Sequence, residues 1–260
     1  MAEPGLRIER QGRLLILTIA RPARANALDA ATSAAIDEAV EEAERDAGIG
    51  AILLTGEGDR AFCSGMDMKE AAAIGAGHGL IPGRGFAGLT ERRRTKPLIL
   101  AINGTAVAGG MEMLLAADIV IAADHARFGL SEVKRGLFAF AGGIQRLAHA
   151  VPRATGLWMI LTGETVDAAR MLSLGLVSEV VPADRLMPRA REVAEQILSF
   201  DAVAVRRAKM LFDSAADMPI DQALRFGRAY GEETLASAAG REGIAAFAEG
   251  RGARFNDSAG

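Results

Sequence analysis

The stretch PLILAINGTAVAGGMEMLLAADIVIAA, residues 97–123, decides the fold of this chain. Its apolar run Leu98–Ile102 lies between Pro97 and the pair Asn103-Gly104, and this pattern predicts a buried strand. A turn follows, and the residues from Met111 onward are strong helix formers. We therefore expect a strand, a turn and the beginning of a helix in direct succession.

Gly109 and Gly110 stand where that helix begins. The first amides of a helix have no partner within it, and glycine leaves them unshielded, so they can stabilise a negatively charged oxygen. Glu112 follows Gly109 by three residues, which places its carboxylate on the face that presents the Gly109 amide. These residues outline a reaction centre. Alternatively, the two glycines only allow a helix to pack closely against a strand.

The composition is that of an ordinary globular protein of 260 residues, with a net charge of −3 and half of its residues hydrophobic. This charge gives no reason to expect nucleic acid or a membrane surface as a partner. The single cysteine, Cys63, excludes an internal disulfide and fits a reducing compartment. No secretory signal is visible, and every apolar run is shorter than the roughly 20 residues of a membrane helix. We expect a cytoplasmic protein.

The order of the remaining elements predicts an α/β fold. Strand patterns at 14–19 and 51–55 flank a helical pattern over 30–46, which Asp29 can cap, so the two strands are expected to be parallel. Residues 75–88 are rich in glycine and form the best candidate for a mobile lid or binding loop. Residues 90–96 read as the basic end of a helix.

The C-terminal part of the sequence reads mostly as helix from Asp201 to Phe255. We predict an α/β core over residues 1–200 and a helical region over 201–260 that packs on a neighbouring subunit.

Several motifs resemble the crotonase, or enoyl-CoA hydratase/isomerase, family. They are AFCSGMDMKE at 61–70, AINGTAVAGGMEM at 101–113, ARFGLSEV at 126–133 and GGIQRL at 142–147. The similarity extends from ARPARANAL at 20–28 to REGIAAFAEGR at 241–251, nearly the whole chain. The resemblance implies a crotonase-like ββα spiral with a helical C-terminal region, assembled as a homotrimer or a dimer of trimers.

The resemblance also implies an oxyanion hole and a pair of acids. By position, the backbone amides of Ser64 and Gly109 bind the thioester oxygen, and Glu112 and Glu132 move protons. Which glutamate is the acid and which the base is left open. Taken singly, Glu112 could be a helix-start glutamate favoured by the dipole, and Glu132 a solvated loop acid.

The substrate-binding residues that the resemblance implies lie in two segments. Coenzyme A is expected along the first segment, and the thioester end against the second; the residues are Arg24, Ala25 and Ala27, then Met66, Asp67 and Met68. A solvated charge at Arg24 and core packing for the methionines are the alternatives. Phe138, Ala139 and Phe140 depart from the proline-glycine pair of the standard hydratase, which leaves the acyl-chain preference open.

The predicted reaction is addition of water to a 2-trans-enoyl-CoA, which gives a 3-hydroxyacyl-CoA in fatty-acid metabolism. The alternatives are double-bond isomerisation, another lyase or hydrolase reaction on the same scaffold, or a non-catalytic acyl-CoA binder. We expect no metal or redox cofactor, because the three histidines lack metal-ligand spacing and coenzyme A is part of the substrate.

Overall fold

The strand predicted at Leu98–Ile102 is buried inside the main sheet of the computed structural model, which describes residues 5–75 and 77–255. In chain order the strands β1 to β12 are Leu6–Gln11, Leu14–Ile19, Ala51–Gly56, Ala61–Cys63, Leu80–Ile81, Gly85–Phe86, Leu98–Ile102, Thr105–Val107, Ile119–Ala123, Arg127–Gly129, Val166–Asp167 and Glu179–Val181. The main sheet has the order β1-β2-β3-β7-β9-β12. Its neighbouring strands are parallel except for the pair β1-β2.

Helices cover both faces of this sheet. In chain order the helices α1 to α10 are Ala30–Arg45, Met68–Ile74, Gly109–Leu115, Gly143–Ala150, Arg153–Thr162, Ala168–Ser173, Leu186–Leu198, Ala202–Ala215, Ile220–Ala236 and Ala238–Ala248. Alternate residues of β7 belong to different hydrophobic clusters, because successive side chains of a strand point to opposite faces. Ile99 and Ala101 pack with α7, whereas Leu98, Leu100 and Ile102 pack with the larger cluster that includes α1 and α3. The α/β prediction is confirmed.

A second, smaller sheet has the order β11-β10-β8-β4. Its central strand β8 pairs in parallel with both β4 and β10. The sequence predicted only a turn where β8 occurs, and that prediction was wrong. Three residues between Gly104 and Ala108 carry too short a pattern, so the strand conformation depends on pairing with both neighbours.

The two segments before β7 also differ from the sequence prediction. Residues 75–88 contain the antiparallel hairpin β5-β6 rather than an irregular loop, with Ala76 outside the described residues. Residues 90–96 form bends and no helix. Two of their cations instead bind the ends of helices: Arg94 donates to the carbonyl of Ala116 after α3, and the Lys96 ammonium donates to the carbonyls of Ala43 and Asp46 at the end of α1.

The C-terminal part is helical from α8 to α10, as predicted, and Asp201 caps α8 by accepting from the Ala204 amide at 2.8 Å. Lys209 ties α8 to Asp118 at the start of β9 through an ion pair of 2.7 Å. Large apolar side chains on these helices are exposed, including Phe212 at 81% and Phe247 at 90%. The division at residue 200 and the packing on a neighbouring subunit stay predictions. Within the described residues, no helix has the length and apolarity needed to cross a membrane.

Replacement of Lys96 by methionine should destabilise the fold. Lys96 is only 2% exposed, and the substitution leaves two carbonyls at the end of α1 without their donor. We expect the free energy of unfolding in urea to fall by about 2 kcal/mol. The control Lys134→Met removes an exposed ion pair with Glu164 and should cost less than about 0.5 kcal/mol. Equal effects of the two substitutions would contradict this role of Lys96.

Candidate active site

The candidate site lies at the carboxyl ends of three short parallel strands. Ser64 follows β4, Gly109 follows β8 after Ala108, and Glu132 follows β10 after two further residues. Because β8 pairs in parallel with both other strands, their carboxyl ends meet at one edge of the small sheet. The fold therefore gathers residues that are up to 68 positions apart in the sequence at one place.

Two backbone segments approach each other closely at this edge. A Cβ atom on Gly110 would collide with the carbonyl of Cys63, and one on Gly65, where φ is +92°, would lie 3.2 Å from the Gly109 nitrogen. Only glycine fits such contacts. The amides of Ser64 and Gly109 have no hydrogen-bond acceptor within the described residues. The arrangement thus presents two free N–H donors from adjoining segments.

Ala108 links β8 to α3 with φ +51° and ψ −126°. This conformation is strained for a residue with a Cβ atom and costs on the order of 1–3 kcal/mol. Ala108 nevertheless starts the helix, since its carbonyl accepts from the amide of Glu112 and its own amide donates to Gly129. The amide of Gly109 directly follows this strained residue and has no acceptor among the described residues.

Phe86 of β6 packs directly on this turn. A Cβ atom on Gly109 would collide with its ring, and the Phe86 amide donates to the Thr90 hydroxyl at 2.8 Å. The sequence analysis marked residues 75–88 as a candidate binding loop but did not single out Phe86. One aromatic residue in a glycine-rich segment carries no signal that would identify its contact with a turn 23 residues later.

Glu112 is 5% exposed and is held by the loop before α4. Its Oε1 accepts from the amides of Ala141 at 2.8 Å and Gly143 at 3.0 Å. Burial raises the pKa of Glu112 above its usual range, although the amides of Gly143 and Ala141 and the charge of Arg146 act in the opposite direction. The carboxyl group therefore has a fixed position in an environment that perturbs its proton affinity.

Arg146 of α4 supports this loop from outside the cavity. Its guanidinium lies against Gly142, between the two amides that bind Glu112, and it donates to the carbonyl of Thr90. Thr90 in turn accepts from the Phe86 amide. One side chain thus connects the segment that holds Glu112 to the hairpin that packs on Gly109.

Glu132 begins the 3-10 turn Glu132–Arg135. Burial, together with the nearby charge of Glu112, raises the pKa of Glu132 to about 7, although its own backbone amide and the charge of Arg135 act in the opposite direction. Its Oε2 atom is buried and has no partner within the described residues. The Glu132 carboxyl group is therefore substantially protonated near neutral pH, and its Oε2 atom is available to donate a proton.

A cavity of about 350 Å³ joins these groups. The two amide-bearing residues and both glutamates line it, as do all but one of the predicted substrate-binding residues; the lining members of that set are Arg24, Ala27, Met66, Asp67 and Met68. Ala25 lies beside them in a turn with φ +50° but does not line the cavity. The sequence therefore predicted most of one wall.

The two predicted substrate-binding segments are joined by backbone hydrogen bonds. The Leu28 amide donates to the Gly65 carbonyl, and the Asp67 amide donates to the Leu28 carbonyl, each at 2.8 Å. The Asp67 carboxylate caps α2 and pairs with Arg21 at 3.0 Å. Burial raises the pKa of Asp67, but the Lys69 amide and Arg21 outweigh it and hold the pKa below its usual range. The acceptors of Asp67 are thus engaged within the protein.

The opposite part of the lining comes from the loop after Glu132. Phe138 and Phe140, which the sequence analysis noted as departures, both line the cavity with ring centroids 5.9 Å apart. Other lining residues were not predicted as binding residues from the sequence, including Lys69, Leu80, Phe86, Arg135 and Leu137. Among the described residues, no group of three or more His, Cys, Asp or Glu side chains could hold a metal ion.

A family model and individual relatives match this chain over nearly its whole length. Residues 9–258 match the model of the enoyl-CoA hydratase/isomerase family. A Rhizobium meliloti (strain 1021) protein named "Probable enoyl-CoA hydratase" is 37% identical over 98% of this chain and 99% of its own length. The carnitinyl-CoA dehydratase of Escherichia coli (strain K12) is also 37% identical, over 95% of this chain and 96% of its own.

A solved structure agrees with these relatives. The enoyl-CoA hydratase from Mycobacterium tuberculosis H37Rv superposes with a TM-score of 0.91 at 37% identity, covering 98% of this chain and all of that one. The predicted crotonase-like fold is confirmed. The chain belongs to the enoyl-CoA hydratase/isomerase family, and within it the relatives indicate a hydratase, which is a lyase.

The raised pKa of Glu132 predicts a pH-dependent contribution to stability. The folded state holds the proton up to about pH 7, whereas an unperturbed glutamate releases it near 4.5, so protonation stabilises the fold below 4.5 and this contribution is lost as the pH rises through 7. Relative to Glu132→Gln, the wild-type free energy of unfolding should fall by about 2 kcal/mol from about pH 5 to about pH 8, after allowance for screening. Chemical denaturation at both pH values measures it. For the exposed control Glu164→Gln, the difference in free energy of unfolding from the wild type should not change with pH. If the difference between the wild type and Glu132→Gln is also constant with pH, the raised pKa of Glu132 is contradicted.

Proposed function

We propose that this protein adds water to a 2-trans-enoyl-CoA and releases a 3-hydroxyacyl-CoA, without a metal or redox cofactor. The observation that carries the proposal is one cavity lined by two glutamates of raised pKa and by two backbone amides that have no acceptor in the described part of the chain. Hydration of a conjugated thioester needs both features: donors for the enolate oxygen and two groups that move protons.

The thioester oxygen binds between the amides of Ser64 and Gly109 in this proposal. Negative charge accumulates on that oxygen when water attacks C3, so donors that are already in position stabilise the transition state more than the substrate. Loss of one such donor in other enzymes costs about 3 kcal/mol. The serine side chain at 64 has no part in this contact, because only its N–H group is used.

The surroundings of the two carboxyl groups favour different roles. Two amides and the charge of Arg146 favour the ionised form of Glu112, so we assign it as the base that takes a proton from the attacking water. Glu132 holds its proton to about pH 7 and has a free oxygen, so we assign it as the acid that protonates C2. The water oxygen bonds to C3, and the two proton transfers together add one water molecule across the double bond.

Coenzyme A is proposed to lie along the segment that contains Arg24, Ala25 and Ala27, of which Arg24 and Ala27 line the cavity, with its thioester end near Met66, Asp67 and Met68. Arg24 and Lys69 line this part of the cavity, and neither side chain has an ion-pair partner among residues 5–75 and 77–255. Two such cations suit the phosphate groups of coenzyme A.

Dehydration of a carnitinyl-CoA is the second candidate. It is supported by the relative of that name and by the aromatic pair Phe138 and Phe140, since aromatic faces attract quaternary ammonium groups. Isomerisation, thioester hydrolysis and acyl-CoA binding without turnover remain alternatives on the same scaffold.

We further propose a homotrimer or a dimer of trimers, located in the cytoplasm and active in fatty-acid metabolism. The exposed apolar side chains of α8 to α10 support assembly, because such a surface in contact with water favours association. Sedimentation of the purified chain measures the number of subunits.

Single substitutions Glu112→Gln and Glu132→Gln should each abolish turnover of crotonyl-CoA, measured as loss of the conjugated enoyl-thioester absorbance. Removal of a general acid or base typically costs 10²- to 10⁴-fold, so we expect a fall in kcat of about a thousandfold for each. Glutamine retains the size and polarity of the side chain but cannot exchange a proton.

The matched control is Glu164→Gln, an exposed glutamate paired with Lys134 outside the cavity, and it should retain wild-type kcat. If either cavity variant keeps wild-type turnover, the two-glutamate mechanism is wrong. If the wild type binds crotonyl-CoA but does not consume it, the protein is an acyl-CoA binder or acts on a different reaction.

A further inference from the structure

Arg135 shares its turn with Glu132. Side chains three residues apart in a 3-10 helix are eclipsed, so the two project to the same side of the turn, and both line the cavity. The positive charge of Arg135 lowers the pKa of Glu132, which means that its field reaches the proposed acid. The sequence analysis gave Arg135 no role.

Arg135 has no ion-pair partner among residues 5–75 and 77–255. Its neighbour Lys134 pairs with Glu164 at 3.0 Å, whereas Arg135 forms no ion pair or hydrogen bond within the described parts of the chain. The other cavity acids are engaged elsewhere: Asp67 pairs with Arg21, and Glu112 accepts from two amides. Arg135 is exposed to water where it lines the cavity, so its guanidinium group is accessible to an anion, and a carboxylate matches its forked donors.

The position of Arg135 separates it from the proposed coenzyme A contacts. Of the other two cations of the lining, Arg24 belongs to the segment assigned to coenzyme A, and Lys69 directly follows the segment assigned to the thioester end. Arg135 instead lies one turn beyond Glu132, whose proposed target is C2 of the acyl group. An anion bound there belongs to the acyl chain rather than to the phosphates.

We propose that Arg135 binds a carboxylate at the far end of the acyl group, so that the preferred substrates are coenzyme A monothioesters of short unsaturated dicarboxylic acids. This inference rests on the proposed hydratase function, which places C2 near Glu132. With a rise of about 2 Å per residue, the backbones of Glu132 and Arg135 lie about 6 Å apart along the turn, so the proposal concerns a short acyl chain.

The same cation disfavours the second candidate function. A trimethylammonium group would meet a like charge beside Glu132, even though Phe138 and Phe140 offer it aromatic faces. Like charges at a binding site cost affinity, and they reject the wrong ligand more strongly than a neutral wall would. Arg135 therefore favours an acidic acyl group over the cationic one that the name of the carnitinyl-CoA dehydratase suggests.

The test compares an acidic substrate with its neutral isostere. Glutaconyl-CoA carries a terminal carboxylate, and 5-methylhex-2-enoyl-CoA carries an isopropyl group of the same shape. We expect wild-type kcat/KM to favour the acid at least about tenfold, and Arg135→Gln to reduce that ratio by about tenfold or more, because one charge-assisted hydrogen bond is lost. Arg135→Lys should keep part of the ratio, and Arg135→Glu should invert it.

Binding gives a readout that does not depend on turnover. Calorimetry with the saturated analogues, glutaryl-CoA and 5-methylhexanoyl-CoA, should show the same preference in the wild type and its loss in Arg135→Gln. The inference would be overturned if Arg135→Gln left the ratio of the two affinities unchanged. An equal loss of affinity for both ligands would give that result, and it would mean that Arg135 contacts the phosphates of coenzyme A. If 4-trimethylammonio-2-butenoyl-CoA binds the wild type better than the neutral isostere, the inference also fails.

These outcomes are distinct from a failure of the proposed function. A wild-type protein that hydrates crotonyl-CoA without preferring the acidic ligand disproves the role of Arg135 alone. A wild-type protein that prefers glutaryl-CoA in binding but hydrates no enoyl-CoA disproves the hydratase and retains the carboxylate site.

Discussion

The close contact between the backbones after β4 and β8 is the constraint on which the rest of the site depends. Gly65 and Gly110 allow it, because neither side brings a Cβ atom to the place where the two segments meet. The contact holds the turns that carry the free amides of Ser64 and Gly109, and it starts α3 so that Glu112 lies within the same cavity. The conformation of Ala108 is unfavourable for a residue with a Cβ atom, so the surrounding structure must hold it in this geometry.

The two glutamates beside this contact have different hydrogen-bond partners and different neighbouring charges. Glu112 is fixed by amides from the loop before α4, whereas Glu132 keeps one buried oxygen without a partner in the described part of the chain. Burial raises the pKa of both carboxyl groups; two backbone amides from another segment favour the anion of Glu112, whereas the amide that favours the anion of Glu132 is its own. Arg146 supports the first group from outside, and Arg135 shares the cavity with the second. A pair of identical residues thus acquires the different proton affinities that acid–base chemistry requires.

The sequence predicted those elements whose conformation depends on residues close to each other in the chain. The strand Leu98–Ile102 and the cap at Asp29 follow from an apolar run and from a side chain that accepts its own helix amide. Strand β8 and the burial of Lys96 could not be predicted, because the first requires two partner strands and the second requires the end of α1, some 50 residues earlier. From the sequence, only the family resemblance predicted that Glu112 and Glu132 share one site. The amides of Ala141 and Gly143 that bind Glu112 were found only in the structure.

The central claim is that two backbone amides polarise the thioester carbonyl of the bound substrate. The most direct measurement is difference infrared spectroscopy of an enoyl-CoA labelled with carbon-13 at the thioester carbonyl, free and bound to the Glu112→Gln variant, in which the substrate is not consumed. The account predicts that the labelled carbonyl stretch moves to lower frequency on binding, because two donors withdraw electron density from the C=O bond. A carbonyl frequency equal to that of the ligand in water, or higher, would contradict it.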